Sequence, residues 1–297
     1  MEGGLDLVDV GGKGENWGQP SWDAFREVLG GTTSGIPRWF FTFLGVKSLV
    51  GMPPLYGTHP TIALVAISIL TFGSLSPASA TTETLSPAAQ KQAQALVAES
   101  PELTESALVN DVEVYSASTG VSVESVLRQA SSESAQSIEA ASSSKKGKRT
   151  KKIGNAKHKG DVFVTPAFTG GVNHGHTGIY SAKPTIVEAP GTGKKSRSTS
   201  ASSYKVPKKS YKMDVKTSQT KRNKAGSYAY NKLRGKKYSA NFAVNKKTGS
   251  AKMNCSQLVW AAYKASVKID LDGNGGLGVY PYNIKDSKHT HIYKTIK

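Results

Sequence analysis

Asn254-Cys255-Ser256-Gln257-Leu258-Val259-Trp260-Ala261-Ala262-Tyr263-Lys264-Ala265 is the one convincing helix in the C-terminal half of a 297-residue chain, and it holds the chain's single cysteine. Leu258, Val259, Ala262 and Tyr263 recur at helical spacing as an apolar face, and Asn254 is placed to cap the N-terminus. Such a cap sets Cys255 in the first turn. Unpaired N–H groups and the helix dipole favour a thiolate there, drawing its pKa from ~8.5 towards neutrality, and the same N–H groups suit an oxyanion. Buried inert cysteines are common, so placement on a helix is not enough to make a nucleophile. A lone cysteine excludes an intrachain disulfide framework and a multi-thiolate zinc site.

Upstream, Asn173 to Tyr180 reads NHGHTGIY and Thr185 to Gly191 reads TIVEAPG. Short alternating apolar runs at Val162–Thr165, Thr177–Tyr180 and Thr185–Glu188, parted by Gly- and Pro-containing turns, predict a small β-rich core. A hairpin centred near Ala182 pairs positions that add to about 364, which puts His176 opposite Glu188 on one face with Gly178 between them. A carboxylate beside an imidazole orients the ring, fixes its tautomer and favours imidazolium next to a thiolate. His174 is a second candidate for the base, further from the turn. Lys194 to Gly226, rich in Lys and Ser, reads as a surface insertion between strands.

Residues 1–80 divide into a Gly- and Trp-rich stretch and the run TIALVAISILTFGSL from Thr61 to Leu75, which is followed by Ala78-Ser79-Ala80. The run is too short for the ~20 residues of a membrane span but fits the apolar region of a secretory signal cleaved after Ala80. About sixty residues precede it, where a signal normally has only a few. Either translation starts further downstream, near Val46 or Met52, or the protein carries a long cytoplasmic or membrane-tethered extension. The mature chain is expected to begin near Thr81 and to hold no stable membrane span. Residues 81–130 predict a helical pro- or spacer segment: Ser86-Pro87 and Ser100-Pro101 each place an N-cap before a Pro at N1, Gly120 is a stop, and Ser122 caps a third short helix. Residues 131–159, Ser/Ala-rich and then basic, read as a disordered linker, and 160–297 as the catalytic domain.

The formal charge of +18 is concentrated from Asp161 onward, where 25 Lys and Arg stand against 6 Asp and Glu. Such a field attracts polyanions of any kind, or serves as a solvated surface. The basic run after Lys145 lacks interleaved aromatics, which argues against a specific nucleic-acid partner. Asp270-Leu271-Asp272-Gly273-Asn274 resembles the first half of a calcium loop, but Pro281 stands where the bidentate Glu is required, so a plain turn is the favoured reading and no metal or cofactor is expected. His289 and His291 alternate as in an exposed strand.

The order GDVFV (Gly160–Val164), HTGI (His176–Ile179), VEAPG (Val187–Gly191), CSQLVWAAY (Cys255–Tyr263), DLDGNGG (Asp270–Gly276) and VYPYNI (Val279–Ile284) resembles the circularly permuted papain-like amidases of the YycO and YiiX/YaeF type, within the NlpC/P60 superfamily. The resemblance implies an α+β, permuted papain-like domain with a small antiparallel sheet and one helix bearing the nucleophile. It further implies Cys255 as nucleophile, His176 as base and Glu188 as third member; Asp161 matches the family's Gly-Asp strand start, where a turn role is expected. An exported hydrolase of amide bonds in cell-wall peptidoglycan is the leading expectation, associated with the cell envelope and attracted to its anionic polymers or lipids. A lipid acyl hydrolase or acyltransferase, and a non-catalytic surface-binding protein on the same fold, are the alternatives.

Overall fold

Helix α1 (Pro87–Glu99), α2 (Glu105–Thr119) and α3 (Val123–Ala141) open the part of the chain that the computed structural model describes, residues 85–142 and 146–297. The expected signal run and the residues before it lie outside the described residues. Ser86 caps α1 by accepting from Ala89 N, with Pro87 at N1; Gly120 ends α2 in the left-handed region at φ 73°; Ser122 caps α3. Two expectations fail here. Ser100 closes the end of α1 instead of starting α2, because Pro101 to Leu103 turn back to bury Leu103, and Thr104 is the cap. The third helix is long, running through the expected linker to Ala141. Val126, Leu127, Ala130, Glu133, Ser134, Ser137 and Ala141 fall on one buried stripe, whose small members let the helices approach closely.

The strands are β1 (Lys151–Lys152), β2 (Val162–Thr165), β3 (Phe168–Thr169), β4 (Val172–Asn173), β5 (His176–Ala182), β6 (Thr185–Glu188), β7 (Arg197–Ser200), β8 (Lys205–Val206), β9 (Ser210–Val215) and β10 (Thr290–Ile296). Six of them form an antiparallel sheet in the order β10-β9-β2-β5-β6-β7. Helices α4 (Gln219–Lys232), α5 (Cys255–Val267) and the short α6 (Pro281–Lys285) complete the fold. One sheet face, carrying Val162, Val164, Ile179, Val187, Met213 and Val215, packs on Ala225 and Ala229 of α4 and Leu258, Val259 and Ala262 of α5. The other, carrying Phe163, Tyr180 and Ile186, is covered by Ile153, Ala156, Tyr204 and Val206.

The basic stretch before the sheet is therefore part of the fold. Lys151 and Lys152 pair with β8, Ile153 N donates to Tyr204 O, and the buried Lys212 donates to the carbonyls of Ile153, Gly154 and Asn155. The presumed insertion at 194–226 likewise supplies β7, β8, β9 and the start of α4. Its strand pattern is masked by Lys212, whose charged head finds carbonyl partners inside the protein.

Asp161 accepts from His158 N and Tyr293 Oη, a turn-closing role. The loop after α5 is tied internally: Asp270 accepts from Trp260 and Lys264, Asp272 from Lys246 and Asn283, so its carboxylates serve a turn. His291 lies on β10 paired to Asp214. Among the described residues no helix is long and apolar enough to cross a membrane.

The core of α1 to α3 also takes in Ala243, Val244 and Leu277 from the later chain. Helical segment and sheet are thus expected to unfold together. Leu127→Ala should cost ~2–5 kcal/mol and lower the midpoint of a single urea transition, whereas two separate transitions would show independent units.

Candidate active site

Asn254 has extended backbone (φ −85°, ψ −179°) and its Oδ1 accepts from Gln257 N at 2.8 Å, so α5 begins at Cys255 with the sulfur at the first helical position. The residue is locked in turn: its Nδ2 donates to Asn241 O at 3.0 Å, and Ser256 Oγ donates to Asn254 Oδ1 at 3.1 Å and to Val279 O at 2.5 Å. Cys255 is 2% exposed. The side chain of His176, 8% exposed at the start of β5, lies close enough to interact electrostatically with the sulfur. The other partner of the ring is Glu188, whose Oε2 lies 2.9 Å from Nε2, which leaves Nδ1 for the sulfur.

The His176–Glu188 contact forms by a different route from the expected pairing. Lys183 and Pro184 make a two-residue turn that pairs Ala182 with Thr185, and a bulge at Ser181 then sets Tyr180 opposite Ile186 and Ile179 opposite Val187. This register places Glu188 beside Gly178, two residues along from His176, on the same sheet face. The carboxylate reaches diagonally past the glycine, where a Cβ would meet the Phe163 ring at 2.6 Å.

Glu188 is 2% exposed and carries donors on both oxygens. Oε2 accepts from Tyr204 Oη at 2.6 Å as well as from His176, and Oε1 accepts the fork of Arg197 Nε and Nη2, each at 3.2 Å. Burial favours its neutral form, but the His176, Tyr204 and Arg197 contacts outweigh that and hold the pKa down at about 2. Burial likewise works against imidazolium at His176, yet the Cys255 sulfur and then Glu188 raise its pKa to about 9. At neutral pH the ring is protonated and the Glu188 carboxylate is its ionic partner. Phe163 packs its ring 6.0 Å from His176 and 5.5 Å from Tyr204, fixing both.

His174, the rival base, is engaged elsewhere: Nε2 lies 2.7 Å from Thr169 Oγ1 and Nδ1 3.0 Å from Gly175 O, and burial lowers its pKa. Tyr204, Arg197 and Tyr238 are the residues that sequence reading missed. The first two lie in the Lys/Ser stretch, where nothing but their facing Glu188 across β6 and β7 marks them; Glu188 pairs with Arg197 in the ladder. Tyr238 has its pKa raised by burial and by the charge of Cys255, so its hydroxyl stays protonated near the sulfur. Pro101 and Glu102, in the turn between α1 and α2, face Thr169, His174, Tyr238 and Phe242 across a narrow cleft, and Glu102 is hydrogen-bonded to Thr192.

The ion pair sets a pH window. The raised His176 pKa contributes stability that is complete below the unfolded value of ~6.5 and fades as pH rises through about 9; the depressed Glu188 pKa contributes stability that is complete above ~4.5 and fades as pH falls towards about 2. The difference in Tm between wild type and Glu188→Gln should therefore be largest between about pH 4.5 and 6.5 and shrink above about pH 9; a difference that grows with pH would contradict the assigned charges. Among known proteins, the chain is 39% identical over 140 residues to the uncharacterized protein YycO of Bacillus subtilis (strain 168). That match takes in 46% of this chain and 56% of the relative, so the chain spans little more than half of that protein's length. No family model and no solved structure matches. Over those 140 residues the chain is similar to YycO.

Proposed function

We propose that this protein is a cysteine hydrolase with a permuted papain-like arrangement, exported to the cell envelope and acting on amide bonds of peptidoglycan. The observation that carries the reading is the buried relay from Cys255 through His176 to Glu188, with the sulfur at a helix N-terminus. The chain order His, Glu, Cys, on a helix packed against an antiparallel sheet, supports the permuted arrangement. The run ending at Ala80 supports export, and the +18 charge supports an anionic polymer or lipid surface as the surroundings of the substrate.

The chemistry divides into two acyl transfers. Cys255 thiolate attacks the carbonyl carbon, forming a C–S bond and an oxyanion. Asn254 already engages the N–H groups of Gln257 and Leu258, which leaves those of Cys255 and Ser256 as oxyanion donors. His176 gives its proton to the departing amine as the C–N bond breaks. It then takes a proton from water, whose oxygen attacks the thioester; the C–S bond breaks, releasing the acid and restoring the thiolate. Glu188 stays anionic throughout, since its pKa of about 2 lies far below that of the ring.

A second reading, hydrolysis or transfer of a lipid acyl group, draws support from the apolar wall next to the cleft, where Leu96, Leu103, Ile138, Val172, Phe242 and Tyr280 meet His174. Purified peptidoglycan and phospholipid vesicles distinguish the two by product analysis. His176→Ala should lower turnover on the true substrate by ~10²–10⁴-fold, and Cys255→Ala should abolish it. A thiol-directed activity probe that fails to label Cys255 at neutral pH, or labels His176→Ala equally well, would leave only a binding protein.

A further inference from the structure

We infer that the helical segment 85–142 is a positioning platform for the nucleophile, acting through Glu133 and Asp111, and not a removable leader. This rests on the reading of Cys255 as nucleophile. Three contacts join the segment to the site, each ending on a residue that flanks the sulfur or leads to the base.

The first starts at Glu133 of α3, 6% exposed and held by Gln129 Nε2 at 2.9 Å. Its carboxylate accepts from Leu277 N at 2.9 and 2.8 Å and from Gly278 N at 3.1 Å. The approach is so close that a Cβ on Gly276 would collide with the carboxylate. Leu277 and Gly278 thereby fix Val279, whose N donates to Asn245 Oδ1 and whose carbonyl accepts Ser256 Oγ, the side chain next to Cys255. The second runs from Asp111 of α2, which accepts Asn241 Nδ2 at 2.8 Å, to Asn241 O, which accepts from Asn254, the cap of the nucleophile helix. In the third, Ala141 O at the end of α3 accepts Asn173 Nδ2 at 2.9 Å, and Asn173 Oδ1 accepts from Gly175 N, immediately before His176.

An inhibitory leader would spend its buried polar groups on the cleft. Glu133 and Asp111 spend theirs on the backbone and amides that shape the first turn of α5. Removing Glu133 leaves two buried N–H groups without acceptors, and the loop has to move to rehydrate them. The two roles predict opposite signs: loosening a cover speeds reagents to Cys255, whereas loosening a platform slows them by disturbing the helix N-terminus and the Asn254 cap that hold the sulfur.

The test is the second-order rate of Cys255 alkylation by iodoacetamide in the full chain, measured against pH beside thermal melting. Wild type should react faster at pH 7 than the same thiol in the urea-unfolded chain. Glu133→Ala should react about tenfold more slowly at pH 7. Gly276→Ala should reproduce the defect from the other side of the contact, and Glu133→Gln, which keeps one acceptor oxygen, should recover part of the rate. Leu127→Ala, which loosens the helical core and touches none of the three contacts, should lower Tm and leave the rate alone. A Glu133→Ala rate equal to or above wild type overturns the inference. Should that variant fail to fold, Glu133→Gln and Asp111→Ala decide by the same criterion. A wild-type thiol no more reactive than that of the urea-unfolded chain would instead remove the nucleophile reading, and this inference with it.

Discussion

A carboxylate buried as deeply as Glu188 has to be compensated by its neighbours or it does not stay ionised. Its surroundings meet that demand with four donors from three residues, and each of those residues is thereby given a position. Arg197 anchors β7 to β6, Tyr204 brings the chain after β7 over the sheet face, and His176 is turned to present its second nitrogen to the sulfur. The contact is the junction at which sheet geometry becomes site geometry. Because the carboxylate binds four donors, it is too weak a base to take the ring proton, and the proton stays on the imidazole between it and the sulfur.

What the sequence made legible were the features that depend on local chemistry. Asn254 as cap, Cys255 in the first turn, the strands at 162–165 and 185–188, and the helix starts at Ser86 and Ser122 all follow from residue type and short-range periodicity. The pairing of His176 with Glu188 was foreseen through parity, which a two-residue change of register preserves; the bulge at Ser181 that sets the register left no mark of its own.

Two misreadings, the linker at 131–141 and the loop over β9, share one cause, polar residues that find partners inside the fold. Ser134, Ser137 and Glu133 made α3 look like linker, although the helix buries all three. Lys212 disguised β9 as loop, although its head group is held by backbone carbonyls. Composition reports how a side chain treats water, and none of these meets water. The same blindness hid Tyr204 and Arg197, which belong to a charge-compensating set visible only once β6 and β7 lie side by side.

The closure of the site around its sulfur has a consequence for redox chemistry. A chain with one cysteine has no second thiol to resolve a sulfenic acid as a disulfide, so an oxidised Cys255 needs an outside reductant for its recovery. At 2% exposure Cys255 is shielded, so any reagent that reaches the sulfur, an oxidant included, needs its surroundings to yield. Burial thus protects the thiol from oxidation and limits its reactivity by the same means.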